Sequence, residues 1–208
     1  MTKIDLFTWT TPNGFKPLVM LEELEVPYSV HAVDIGKGKQ HEPAYLALNP
    51  NGKIPSLRMT DDQGQETQVF ESGAILITLG EWSQKYLPPA GQGRADTLAW
   101  LMFQMGGIGP MFGQLGHFRS AKPDNAYGIE RYTKEAERIL GVLESRLAKV
   151  PYLADSYSIA DMAAHPWVRA ASRLGLSLDG WPSVKRWVET IDERPAVKRA
   201  YAWKPDAT

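Results

Sequence analysis

Two segments, NPNGKIP at Asn49–Pro55 and FESGAI at Phe70–Ile75, hold residue types that can grip a small peptide. In the first, an Ile54-Pro55 bond in cis would leave the N–H and C=O of Ile54 able to pair with an extended chain, whereas a trans proline would simply enter an edge strand. Residue order leaves both open. In the second, Glu71 and Ser72 stand just ahead of an apolar run and read as a helix start. With a ligand present, Ser72 would offer N–H and hydroxyl to a carboxylate while Glu71 accepts from an ammonium. A third segment, WTTPNGFK at Trp9–Lys16, sets the hydroxyls of Thr8, Thr10 and Thr11 and the amide of Asn13 between a strand end and a helix start. Backbone N–H groups and the helix dipole favour an anion there, a thiolate included. Ordinary turn and cap chemistry accounts for the same residues.

Composition removes several other chemistries. The chain has no cysteine, which excludes a Cys-x-x-Cys redox motif, a cysteine nucleophile, structural disulfides and thiolate zinc sites, but not thiol chemistry brought by a bound molecule. Lysine and arginine total 23 against 24 acidic residues, with no basic run to follow a phosphate backbone, so nucleic acid is not an expected partner. The four histidines, His31, His41, His117 and His165, share no ligand spacing, and no metal is predicted. The opening MTKIDLFTWT has Lys3 and Asp5 among its apolar residues and lacks a signal-peptide core, and no segment approaches membrane-spanning length. A cytoplasmic protein without membrane contact is the expectation.

The elements that must position these residues fall into two groups. Ile4–Thr8 reads as a strand, Gly14–Leu24 as a helix with Asn13 as N-cap, and Tyr28–Asp34 as a second strand; Pro43–Leu48 can make one or two helical turns. Ser56–Met59 and Thr67–Phe70 form a hairpin around DDQGQ, and Ser72–Lys85 a closing helix. The order βαβ-ββα predicts a small mixed sheet backed by helices in residues 1–85. YLPPAGQG at Tyr86–Gly93 interrupts all periodicity and reads as a linker. Residues 94–208 are helical in pattern, with Arg94–Met105, a face of Ile129, Tyr132, Ala136, Ile139, Leu143 and Leu147, a capping box at Ser158–Asp161, and Ser183–Ile191. This predicts an all-α bundle, with Trp167, Trp181 and Trp187 in its core. GGIGPMFG at Gly106–Gly113 should kink or break a helix; close packing is one reason for it. The other is a co-substrate pocket walled by Trp9, Met111, Phe112 and Phe118.

Taken together, NPNGKIP, FESGAI, the SIAD box and the two-part layout resemble a cytosolic glutathione transferase over essentially the whole chain. TPNG in the first loop, VDIGKGKQ at Val33–Gln40, QMGGIGPMFGQLGHF at Gln104–Phe118 and IERY at Ile129–Tyr132 are most similar to the bacterial Nu-class, the disulfide-bond-oxidoreductase branch. The resemblance implies a thioredoxin-like first domain, an all-helical second domain and a homodimer. It also implies that Thr11 and Asn13 hydrogen-bond the glutathione sulfur, that Ile54 before cis-Pro55 pairs with the cysteinyl backbone, and that Glu71 and Ser72 hold the γ-glutamyl end. Gln40 and Lys53 would reach the glycyl carboxylate, and Arg131 would add a charged contact.

One departure matters. The first loop lacks the Tyr, Ser or Cys found in other branches: the earliest Tyr is Tyr28 and the earliest Ser is Ser29. Thr11 is then the best-placed hydroxyl, with Thr10 as its rival, and its role would be to stabilise a thiolate that belongs to glutathione. The implied activity is glutathione-dependent disulfide reduction, with conjugation or peroxide reduction as further uses of the same thiolate. A non-catalytic binding or regulatory module of the same fold is the alternative.

Overall fold

A computed structural model describes residues 2–205. The chain divides into two compact units, Met1–Lys85 with Pro195–Thr208, and Tyr86–Arg194.

The first unit is built on a four-stranded sheet of order β2-β1-β3-β4, comprising β1 (Lys3–Thr8), β2 (Ser29–Ala32), β3 (Ser56–Thr60) and β4 (Glu66–Phe70). β1 runs parallel to β2, while β1–β3 and β3–β4 are antiparallel. The expected βαβ-ββα order is present. Helices α1 (Pro12–Leu24), α2 (Pro43–Leu46) and α3 (Ser72–Ser83) complete it. α1 starts two residues earlier than its apolar pattern suggested, and its N-cap is Thr11, not Asn13. The reason is Pro12: its fixed φ suits the first helical position, and its missing N–H is one the helix would not have bonded. Leu18, Val19, Met20 and Leu21 on α1 are 0–1% exposed, each adding roughly 1.5–3 kcal/mol of apolar burial.

A helix at the far end of the sequence also belongs to this unit. α9 (Pro195–Ala202) packs along α1, where Tyr201 lies over Phe15 with ring centroids 4.3 Å apart and Arg199 Nε donates to Glu22 Oε2 at 2.6 Å. Its buried face is Ala196, Val197 and Ala200.

The second unit is helical, with α4 (Gly91–Phe103), α5 (Gly109–Ala121), α6 (Ala126–Leu147), α7 (Ile159–Arg169) and α8 (Pro182–Asp192). α4 takes its first turn from the segment expected to be linker. Of the face expected on α6, Ala136, Ile139, Leu143 and Leu147 are buried, while Ile129 and Tyr132 are half-buried. GGIGPMFG does not break the helix. One π-helical turn, Gln104–Ile108, joins α4 to α5, so that Pro110 falls in the first turn of α5 where its missing N–H is harmless. The glycines there admit a neighbour: a Cβ on Gly109 would meet Gln104 Nε2 at 2.8 Å and Trp167 Nε1 at 3.3 Å, and one on Gly113 would meet the Trp167 ring at 3.3 Å. Among the described residues no helix is long and apolar enough to cross a membrane.

The capping box holds with Asp in place of Glu. Ser158 caps α7, and the fully buried Asp161 carboxylate accepts from the backbone N–H of Leu153 and Ser158, both at 3.0 Å, and from Trp187 Nε1 at 2.9 Å. Asp161→Ala strands these donors, so it should lower the unfolding free energy by about 3 kcal/mol or more, read by chemical denaturation followed on tryptophan fluorescence.

Candidate functional site

Strand register brings the three chemically interesting segments of the first unit to one end of the sheet. Ser56, the first residue of β3, is opposite Phe7 on β1 and opposite Phe70 on β4. Ile54-Pro55 therefore enters beside the end of β1, from which Trp9–Thr11 departs, and beside the end of β4, from which Glu71 and Ser72 depart.

In the first loop, Thr11 Oγ1 accepts from Gly14 N–H at 3.1 Å, and Thr8 Oγ1 donates to Gly14 O at 3.1 Å. Gly14 permits this closeness, because a Cβ there would meet Thr8 Oγ1 at 2.6 Å. A hydroxyl that accepts with one lone pair keeps its own proton to donate. Thr11 can thus cap α1 and hydrogen-bond an anion at the same time. Thr11 and Asn13 are half-buried at the start of this 13-residue helix, while Thr10 is exposed.

The NPNGKIP loop is held from below by two side chains that sequence reasoning passed over. Tyr45 Oη donates to the Lys53 carbonyl at 2.6 Å, Asn49 Nδ2 donates to the same oxygen at 2.5 Å, and Asn49 Oδ1 accepts from Asn51 N–H at 2.9 Å. Burial pushes the Tyr45 phenol up, which keeps it a donor. With its carbonyl fixed, Lys53 leads into an Ile54-Pro55 bond that is cis. Lys53 itself is exposed, and Gln40 Nε2 lies 3.1 Å from His41 Nε2. Asn49 signalled its role by beginning an Asn-Pro-Asn-Gly turn; Tyr45 gave no signal beyond its helical spacing.

Glu71 sits at φ 71°, ψ 119°, outside the regions an L side chain prefers, a conformation that costs about 1–3 kcal/mol and recurs at ligand sites. It is exposed, whereas Ser72, the first residue of α3, is buried. Beneath them lies Lys16, whose side chain is overlooked if α1 is read only for its apolar face. It is 1% exposed, and its Nζ is 3.2 Å from Ser72 Oγ. Loss of hydration pushes the amine down to about 7, against the opposing attraction of the Glu71 carboxylate.

The remaining expected residues lie in the second unit, apart from Trp9, which is half-buried in the first. Met111 and the exposed Arg131 line one groove of about 690 Å³ with Tyr127, Tyr132 and Arg138, within the range of small-molecule sites. Phe118 stacks on Tyr132 with centroids 5.4 Å apart. Phe112 is fully buried, which makes it a packing residue of the helical unit, not a wall open to a co-substrate.

Comparison with known proteins identifies the family. Residues 10–82 match the glutathione S-transferase N-terminal domain family, and residues 116–195 the glutathione S-transferase C-terminal domain family. The Escherichia coli disulfide-bond oxidoreductase YfcG is 45% identical over 201 residues, which cover 95% of this chain and 94% of that protein. A crystal structure of a Burkholderia graminis glutathione transferase, with two glutathione molecules bound per subunit, aligns with TM-score 0.92 and 40% identity over 99% of this chain and 90% of that one. A Pseudomonas putida glutathione transferase, solved with one glutathione disulfide per subunit, aligns with TM-score 0.89 and 39% identity over 96% and 91%.

The sign of the Lys16 contribution to stability follows from its depressed amine. In the unfolded chain it titrates near the ordinary 10.5, so the folded state is favoured most above that pH, and the advantage is lost as pH falls toward about 7. Measured by denaturant unfolding, the stability of Lys16→Met relative to the parent chain should rise as pH is lowered from about 10 to about 7 and level off below.

Proposed function

We propose, from the premise that this chain belongs to the glutathione S-transferase family, that it is a glutathione-dependent disulfide-bond reductase in which the protein serves as template and glutathione supplies every reacting thiol. The observation that carries this is the first loop: a cysteine-free helix start where the Thr11 hydroxyl, already accepting from Gly14, can donate to a sulfur anion.

Glutathione is seated by main chain and by charge. Ile54, ahead of cis-Pro55, pairs with the cysteinyl backbone, Ser72 takes the γ-glutamyl carboxylate on its N–H and hydroxyl, and Glu71 accepts from the γ-glutamyl ammonium. Gln40 and Lys53 take the glycyl carboxylate. The sulfur then lies at the start of α1, where Thr11 and Asn13 and the helix N–H groups favour thiolate over thiol.

Reduction proceeds by two exchanges. The glutathione thiolate attacks one sulfur of a disulfide RSSR, forming the mixed disulfide and releasing RS⁻; a second glutathione thiolate attacks the glutathione sulfur of that mixed disulfide, forming glutathione disulfide and releasing the other RS⁻. Two protons from the two thiols end on the two RSH products. Relatives solved with two glutathiones, or with glutathione disulfide, support a site able to hold both reactants and product. An electrophilic carbon or a peroxide brought to the same thiolate would react by the same attack. We further place the protein in the cytoplasm, as a homodimer.

Steady-state reduction of 2-hydroxyethyl disulfide by glutathione tests this. Thr11→Ala and Asn13→Ala should each lower turnover about tenfold or more, as expected for loss of a hydrogen bond to a charged group. Thr11→Ser, which keeps both donor and helix cap, should retain most of it. Unchanged turnover in Thr11→Ala, with glutathione still bound, would contradict the assignment.

A further inference from the structure

Lys16 is the one lysine among the buried polar residues of the chain's described part, and an apolar residue of the same length would remove the dehydration that its amine suffers there. Its position explains what the amine provides. An ammonium has protons to give and no lone pair to receive, whereas a serine hydroxyl has one proton and two lone pairs. Once protonated, as an arriving carboxylate favours, Lys16 with Nζ 3.2 Å from Ser72 Oγ can only donate, and it fills one lone pair of that oxygen. The hydroxyl proton of Ser72 must then be given elsewhere. Ser72 is the first residue of α3, so its backbone N–H is one that the helix itself does not satisfy.

We propose that Lys16 is a positioning residue of the γ-glutamyl subsite, holding the Ser72 hydroxyl as a donor toward the ligand's carboxylate and placing a buried positive charge behind it. The proposal deepens the preceding assignment and rests on Ser72 as the seat of that carboxylate. Lys16 acts through Ser72 and does not touch the reacting sulfur.

The local charges are consistent with this. Glu71, at the start of α3, acts on Lys16 directly and offsets part of its dehydration. Of the other charged groups on elements packed against α1, Arg199 on α9 is engaged by Glu22, Lys198 is exposed, and Asp5 on β1 is engaged by Lys3, His31 and Arg58. Glu81 is nine residues along α3 from Ser72, about 13 Å. An arriving carboxylate would favour the protonated amine, so binding near neutral pH should draw a proton from solution.

The test uses isothermal titration calorimetry with S-methylglutathione, which has no thiol to titrate, and with its analogue lacking the γ-glutamyl α-carboxylate. Lys16→Met should weaken S-methylglutathione on the order of tenfold and leave the decarboxylated analogue within about twofold of the parent protein. Equal losses for both ligands, or no loss for either, would overturn the proposal. If Lys16→Met does not fold, the parent protein decides alone. Titrations at pH 8 in two buffers of different ionisation enthalpy should show proton uptake with S-methylglutathione and none with the analogue. Uptake that is absent, or equal for the two ligands, overturns the proposal. Failure of the parent protein to bind S-methylglutathione would instead remove the glutathione assignment, and this inference with it.

Discussion

The register of β3 is the constraint on which the candidate site depends. Ser56 is matched to Phe7 on one side and Phe70 on the other, and this double match carries the loop after β1, the cis-proline turn and the start of α3 to a common end of the sheet. A slip of one residue would turn the side chains of β3 to the wrong face, exposing Leu57 and Met59, which are 1% and 6% exposed in the fold. Burial of those two side chains thus fixes the chemistry-bearing loops as firmly as it fixes the core.

Around that end, local conformations run against intrinsic preference and are held by their surroundings. Glu71 has a positive φ, and Lys16 carries an amine into the interior. Both departures sit within one residue or one hydrogen bond of Ser72. The apolar side chains of α1, packed by α3 and α9, supply the stabilisation that tolerates them. The Lys53 carbonyl shows the opposite device, a backbone group over-determined by two side-chain donors, Tyr45 and Asn49. Rigid presentation of Ile54 follows from it.

Much of this was legible in residue order, and the remainder fails for physical reasons. NPNGKIP and FESGAI were readable because proline, glycine and an acid-serine pair have strong local consequences. The apolar pattern sets the start of α1 two residues late because Asn13 caps well in general, although Pro12 favours Thr11 as the cap. Whether Ile54-Pro55 is cis is decided by the contacts around it, which a local reading cannot supply. Lys16 escaped because charged residues on a helix ordinarily face solvent, and nothing local to GFKPL says that α3 closes over it. For Phe112 the sequence leaves core packing and a pocket wall both open, and its full burial decides for packing; an aromatic residue in a helix announces burial without announcing its partner. Glycine and proline are poor helix formers, so GGIGPMFG reads as a kink or break, yet one π turn accommodates Pro110 and Trp167 fills the space the glycines leave.

In the proposed reaction this protein binds and orients glutathione thiols and contributes none of its own. A crystal structure of the protein soaked with glutathione disulfide tests it most directly. A disulfide sulfur should lie within hydrogen-bonding distance of Thr11 Oγ1 or Asn13 Nδ2, with the cysteinyl backbone paired with Ile54 and the γ-glutamyl carboxylate on Ser72. Glutathione disulfide bound away from the β3 end of the sheet, or with its sulfurs turned from the start of α1, would contradict it.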